Sequence, residues 1–291
     1  MNKQRVKRTQ MPSPLGHSRI ILKGAFRMPS TLLSYENLPN IRDLGGMPAK
    51  GGCTIKSGRL IRCGHLGAIS DNDLKKLSGL LSVIADFRTT REKTRQPDRN
   101  IPDTAYYHIP LVDSLTPGIT RETEADVSIV TRLLFKPEEA RTYMCRLYSS
   151  MATGRTQLAG YAKFLRILKE HHDQAVLWHC TVGKDRAGIG AVLIEEALGV
   201  PRDEIFADYL YTRECLRDEI RSLCDTIKKK ASTDSPLADE ALSYLFGVDE
   251  EYLLSFYNTI EKEYGDMASF FEKGLGITAE DRAALQQMYL G

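Results

Sequence analysis

Apolar positions along the chain fall into two alternating rhythms. Leu80 to Phe87 is a near-continuous apolar run of the kind buried within a sheet, and Arg59 to Cys63 is a shorter one. Tyr106 to Leu111 and Ala175 to Trp178 also read as short strands. Ser70 followed by Asp73 predicts a capped helix between the first two strands. Residues 114 to 135 lack a clear period and read as a loop with some helix. Leu158, Tyr161, Ala162, Leu165 and Leu168 mark one face of a helix. Ile189 to Leu198 predicts another, stopped by Gly199 with Pro201 just beyond. The remainder is helical in pattern. Lys228 to Lys230 suit a helix C-terminus, and Thr278 with Asp281 suits an N-cap. Strands alternating with helices, followed by a helical tail, predict an α/β domain with helical additions.

Composition narrows the class. The chain has 291 residues, of which 42% are hydrophobic, enough for a sizeable core. No internal repeat or clean linker divides it, so a single domain is expected, with order beginning near Leu38. Lysine and arginine nearly balance the acids, giving a net charge of +2. That balance excludes a chain held to nucleic acid by bulk charge. Mean hydropathy is −0.31 and no apolar run approaches 18 residues, so no transmembrane helix is expected. Residues 1–35 differ from the rest: they carry no acid and seven bases. The segment reads as a disordered tail before a domain at 36–291, or as translation assigned from too far upstream, with Met11 and Met28 as other starts. Its rival reading is a basic arm touching acidic lipid or a partner. Its longest apolar run, Ile20-Ile21-Leu22, is too short for a signal-peptide core.

Six cysteines occur, none in a CxxC pair, and no His/Cys cluster has zinc spacing. They are expected to be reduced thiols in a cytoplasmic protein, with secretion lacking a signal peptide left open. Five read as packing residues. Cys180 stands apart. The segment His179-Cys180-Thr181-Val182-Gly183-Lys184-Asp185-Arg186-Ala187-Gly188 follows a short apolar strand and opens a helix. Such a junction points successive backbone N–H groups at one spot, and with the helix N-terminus makes an anion site. Arg186 lies where the loop can curl its guanidinium onto the same anion, forking onto two phosphate oxygens. The helix N-terminus and neighbouring bases favour a thiolate at Cys180. The segment thus supplies a nucleophile and a cradle, from Thr181, Val182, Gly183, Lys184, Asp185 and Arg186, for three phosphoryl oxygens. The implied reaction is phosphate-monoester hydrolysis through a cysteinyl-phosphate.

The segment resembles the phosphate loop of the cysteine-dependent protein tyrosine phosphatases. It is most similar to the bacterial and fungal branch of atypical tyrosine and lipid phosphatases. Asn40 to Gly46 matches that branch's opening NxRDLGG motif. Gly58 to Cys63 resembles its GxLxRS segment, with Cys63 in place of the usual Ser, and Ala85 to Glu92 resembles its DLRxxxE segment. Asp208-Tyr209-Leu210 and stretches from Tyr264 to Ile277 also fit. The resemblance covers about residues 38 to 290. It implies one α/β domain, with a mixed sheet flanked by helices, and neither metal nor organic cofactor. It also suggests that helices after residue 209 form a lid, although the residues alone read equally as packing elements. Ala187 departs from the usual Thr or Ser. A hydroxyl there helps the thiolate leave phosphate, so Ala187 is expected to slow turnover.

The supporting residues admit alternatives. Asp185, inside the GKDR signature, is the first candidate general acid, or only a brace for the loop. Asp113, after a strand and before an irregular stretch, is its rival, or a solvated carboxylate. Asp86 positions a base or caps a strand. Lys184 adds positive charge favouring multiply phosphorylated substrates, or is a solvated lysine, or merely tunes Cys180. Arg88 and Arg42 brace the site or tie loops together, and His179 orients the loop. The expected function is a phosphatase of phosphotyrosine proteins, extending to phosphoserine, phosphothreonine or phosphoinositides. The alternatives are a phosphatase of a small metabolite such as an inositol phosphate, and a phospho-binding module with little turnover.

Overall fold

In the computed structural model the described residues are 31–32, 34–112 and 125–291. Strands β1 (Thr31–Leu32), β2 (Arg42–Asp43), β3 (Leu60–Cys63), β4 (Leu81–Asp86), β5 (Ala105–His108) and β6 (Ala175–His179) form one mixed sheet in the order β1-β2-β3-β6-β4-β5. The first two pairings are antiparallel; β3, β6, β4 and β5 run parallel. Cys63, His179, Asp86 and His108 are register neighbours at the carboxyl ends of the four parallel strands. Open α/β sheets bind their ligands along this edge.

The central strands bury both faces, which explains why their runs are apolar rather than alternating. Leu60, Val83, Ala85, Val176 and Trp178 point into the larger core, and Ile61, Cys63, Ile84, Ala175 and Leu177 into the smaller one. The smaller core is closed by α1 (Asp71–Leu77), whose N-cap Ser70 accepts from the Asp73 amide as the sequence predicts. Helix α2 (Thr90–Arg95) follows β4 and starts on a capping box between Thr89 and Glu92.

The larger core is covered by helices. Between β5 and β6 lie α3 (Ala125–Leu133), α4 (Pro137–Met151) and α5 (Arg155–Glu170); α6 (Arg186–Leu198) follows β6. Then come α7 (Arg202–Cys215), α8 (Arg217–Ala231), α9 (Pro236–Phe246), α10 (Glu250–Tyr264), α11 (Met267–Ser269), a π turn at Phe270–Gly274, and α12 (Ala279–Tyr289). Gly199 closes α6 in the left-handed conformation, and Thr278 and Asp281 form the capping box of α12. A satellite core of Leu134, Ala238 and Leu242, backed by Cys224 and Ile227, ties α8 and α9 to the end of α3.

Two differences from the sequence reading stand out. Thr31 and Leu32 already pair with β2, upstream of the start expected at Leu38. The rest of the basic segment, residues 1–30 and 33, lies outside the described residues. Helix α6 begins at Arg186, not Ile189, because the phosphate loop winds directly into its first turn. Among the described residues no helix is long and apolar enough to cross a membrane.

Candidate active site

Strand β6 ends at His179, and the next six residues curl into α6. Gly183 makes the tight part of the curl, with φ +73°. A Cβ there would lie 2.4 Å from the Cys63 carbonyl oxygen, so only glycine lets the loop settle on the end of β3. Asn40 Nδ2 and Arg62 Nη2 each donate to the Gly183 carbonyl at 2.9 Å. Asp208 accepts from Arg62 and from Arg42, at 2.9 and 3.2 Å, and all three side chains are fully buried. Arg42 Nη1 also donates to Asn40 Oδ1 at 2.8 Å. Arg42 therefore acts at one remove, holding the residue that holds the loop.

Arg186 is wholly buried, and its guanidinium is gripped by Glu92 from the start of α2. Nη1 and Nη2 reach the two carboxylate oxygens at 2.7 and 2.8 Å. Thr181, within the loop, donates its hydroxyl to the same carboxylate. Burial pushes the Glu92 carboxyl up, but Arg186 and these hydrogen bonds outweigh it and hold it below the ordinary range. The paired arginine is thereby aimed rather than free to wander.

Asp185, the last loop residue before α6, is 4% exposed. Its Oδ1 accepts from the Tyr148 hydroxyl at 2.7 Å, and Tyr209 donates in turn to Tyr148 at 2.9 Å. Lys184 is just as deeply buried. Its Nζ donates to the Gly247 carbonyl at 2.7 Å, just past α9, and lies 3.4 Å from Asp185 Oδ1. The Lys184 charge is thus turned toward the end of α9 rather than solvated.

On the other flank, His179 is buried with Nε2 3.3 Å from Asp98 and Nδ1 3.2 Å from the Cys180 carbonyl. Burial works against its protonation, yet Asp86 and Asp98 raise its pKa above the ordinary value. Arg88 pairs with Asp86 and Asp98 together. Tyr106 donates to Asp86 as well. Asp86 therefore anchors Arg88 at the strand end and lies 3.9 Å from His179. Asp86, Asp98 and His179 bring their ligand atoms within 4.8 Å of one another, a grouping that could hold a cation. The Arg88 guanidinium already occupies both carboxylates, and a metal would have to displace it.

The structure thus gathers Cys180, Thr181 to Arg186, His179, Asp86, Arg88 and, through Asn40, Arg42 around one loop. Asp113 lies outside the described residues. Glu92, Arg62, Asp208, Asp98 and Tyr148 carry no role in the sequence reading. Glu92 left a signal there, since it ends the DLRxxxE segment and completes a Thr-x-x-Glu capping box.

A mixed sheet whose central parallel strand ends in HCxxGKDR, with the arginine locked at the first turn of a buried helix, defines a cysteine-dependent phosphatase scaffold. A sequence model of the tyrosine phosphatase family matches residues 33–291, so the chain belongs to that family. The chain is 31% identical over 183 residues, 62% of its length, to a protein of Cupriavidus necator whose name assigns it to the tyrosine-protein phosphatases; the match covers 63% of that relative. It is 25% identical over 285 residues to the triple specificity protein phosphatase PtpB of Mycobacterium tuberculosis, covering 89% of this chain and 100% of that one. It is 26% identical over 179 residues to a tyrosine-protein phosphatase of Nostoc commune, covering 59% of this chain and 54% of the relative.

Proposed function

We propose that the protein hydrolyses phosphate monoesters through a cysteinyl-phosphate on Cys180, acting on phosphotyrosine in proteins. The observation that carries this reading is the locked Arg186–Glu92 pair on the loop that begins at Cys180. A guanidinium fixed in advance stabilises charge gathering on the equatorial oxygens without reorganising during the reaction. Cys180 attacks phosphorus, and the loop amides and Arg186 hold the three oxygens. Asp185 protonates the departing phenolate oxygen, then takes a proton from the water that attacks the cysteinyl-phosphate. Tyr148 fixes one carboxylate oxygen of Asp185, which leaves the other to carry the proton. Ala187 offers no hydroxyl to the departing thiolate, so the second step limits turnover.

The triple specificity named for one relative supports a substrate range wider than phosphotyrosine alone, which we extend to phosphoserine, phosphothreonine and phosphoinositides. A panel of phosphotyrosine, phosphoserine and phosphothreonine peptides, phosphoinositides and inositol phosphates tests the reading. Preferred turnover of phosphotyrosine peptides is expected. Preference for free inositol phosphates would make it a metabolite phosphatase. Tight phosphate binding without turnover would make it a phospho-binding module.

A further inference from the structure

Each backbone carbonyl from Thr181 to Asp185 has a donor. The Thr181 carbonyl accepts from the His65 amide at 3.2 Å, and the Asp185 carbonyl from the Ile189 amide at 2.9 Å. Asn40 Nδ2 lies 3.5 Å from the Val182 carbonyl and 2.9 Å from that of Gly183. Arg62 Nη2 reaches the Gly183 and Lys184 carbonyls at 2.9 and 3.4 Å. In a trans peptide the carbonyl and the next amide point opposite ways. Carbonyls tied to neighbouring elements therefore turn the following amides away from those elements, toward the centre of the loop. Among the described residues the amides of Val182, Gly183 and Asp185 donate to no acceptor.

Asn40 is the neutral member of this set of side-chain donors. It is 3% exposed, and its backbone is left-handed at φ +57°, a conformation most side chains avoid. The Pro39 carbonyl accepts from the Gly64 amide at 2.9 Å, which pins the segment beside the end of β3. Arg42 Nη1 donates to Asn40 Oδ1 at 2.8 Å. A guanidinium can only donate, so the oxygen of the Asn40 amide faces Arg42 and its nitrogen faces the loop.

We infer that Asn40 is a positioning residue for oxyanion binding: by holding the Val182 and Gly183 carbonyls, it keeps the amides of Gly183 and Lys184 aimed at the anion. Gly183, at φ +73° and without a Cβ, is the loop residue whose flanking peptides rotate most easily. Such a rotation would put a carbonyl oxygen where an amide belongs, and attraction for the anion would become repulsion. Arg62 grips the same carbonyl, but it also pairs with Asp208. Removing Arg62 or Arg42 would disturb that buried ion network, whereas removing the Asn40 side chain changes no charge.

The inference rests on the loop being the phosphate site, and binding reads it without any need for turnover. Tungstate is the probe, a tetrahedral oxyanion that cannot be hydrolysed. The thermal midpoint of the full-length protein is measured with and without tungstate, alongside kcat and KM for p-nitrophenyl phosphate. Asn40→Gly accepts the left-handed backbone, removes the side chain and adds no charge. It should bind tungstate about tenfold more weakly than wild type, seen as a smaller rise above its own unliganded midpoint. At saturating p-nitrophenyl phosphate its kcat should fall about 10²-fold, the scale of a small misplacement. Asn40→Asp keeps an oxygen for Arg42 but offers no donor to Gly183, so it should lose affinity at least as far. A lower unliganded midpoint in Asn40→Gly with unchanged tungstate affinity and kcat would make Asn40 a brace for the fold and overturn the inference. Wild-type affinity in Asn40→Asp would overturn it as well. Tungstate binding that depends on Asn40 in a protein inactive on every phosphate ester would leave the inference standing and sink the phosphatase reading.

Discussion

The Glu92 carboxylate lies in a fork-to-fork pair with the Arg186 guanidinium, at 2.7 and 2.8 Å, although 94 residues separate them. The pair fastens the start of α2 to the start of α6. Breaking one partner of a buried pair leaves the other charge uncompensated, at a cost of about 3–5 kcal/mol. Glu92→Gln should therefore lower the thermal midpoint. It should also lower kcat by about 10²-fold, the scale of a small misplacement of a positioning group. Because the Glu92 carboxyl is held below its ordinary value near 4.5, its contribution is complete above that pH and is lost as pH falls through the lower folded value. The stability gap between wild type and Glu92→Gln should narrow on acidification. A gap that widens at low pH would show that the carboxylate is not the stabilising form.

Cys180→Ser should abolish hydrolysis of p-nitrophenyl phosphate while keeping affinity for a phosphate analogue. A serine hydroxyl is scarcely ionised near neutrality, and the cradle of Arg186 and loop amides is unchanged. Activity of the wild type should survive a chelator, because Arg186 supplies the charge that a metal supplies elsewhere. Substantial turnover in Cys180→Ser, or loss of activity in chelator with recovery on adding a divalent ion, would contradict the mechanism.

Much of this architecture could be read in advance because it is local. The apolar runs of β4 and β6, the Ser70 and Thr278 caps and the loop signature each occupy a few consecutive residues. The two-residue strands β1 and β2 could not be read, since so short a segment has no period. The partnerships across the loop were hidden for a different reason. Arg42 and Arg62 meet at Asp208 from 166 and 146 positions away, and a lone charge in a sequence looks the same whether solvated or buried. Lys184 is the clearest case. Its charge suggested solvent and substrate, but the backbone turns it onto the carbonyl of Gly247.

Glu195 on α6 is fully buried, and among the described residues neither carboxylate oxygen has a hydrogen-bond partner. Burial, reinforced by Asp208, pushes its pKa well above the ordinary value, with Arg62 and Arg42 only partly opposing. A raised folded pKa means that the native state holds the proton over a range where the unfolded chain has lost it. Stability then falls as pH rises through that range. Glu195→Gln removes the ionisation and keeps the shape. It should raise the thermal midpoint relative to wild type at about pH 8 and change it little at about pH 4, below the ordinary glutamate value. A destabilised Glu195→Gln at the higher pH would mean that the ionised carboxylate is needed by Arg42 and Arg62.

The choice between Asp185 and Asp113 turns on the leaving group. A general acid contributes about 10²–10⁴-fold, and most when the leaving group is poor. Phosphotyrosine departs as a phenol of pKa ~10, whereas nitrophenol leaves more readily and needs the proton less. Removing the acid should therefore harm phosphotyrosine hydrolysis more than nitrophenyl phosphate hydrolysis, and flatten the alkaline limb of the pH–rate profile. Removing a brace should harm both substrates alike. We expect the first pattern for Asp185→Asn and a small, uniform effect for Asp113→Asn. The Tyr148 and Tyr209 hydroxyls make a supported chain behind Asp185. Tyr148→Phe gives a second measure: it removes the support and keeps the carboxylate, so it should lower kcat on phosphotyrosine while preserving the shape of the pH profile. If Asp113→Asn carries the leaving-group dependence and Asp185→Asn does not, the proton comes from Asp113, and Asp185 with its two tyrosines serves only to hold the loop.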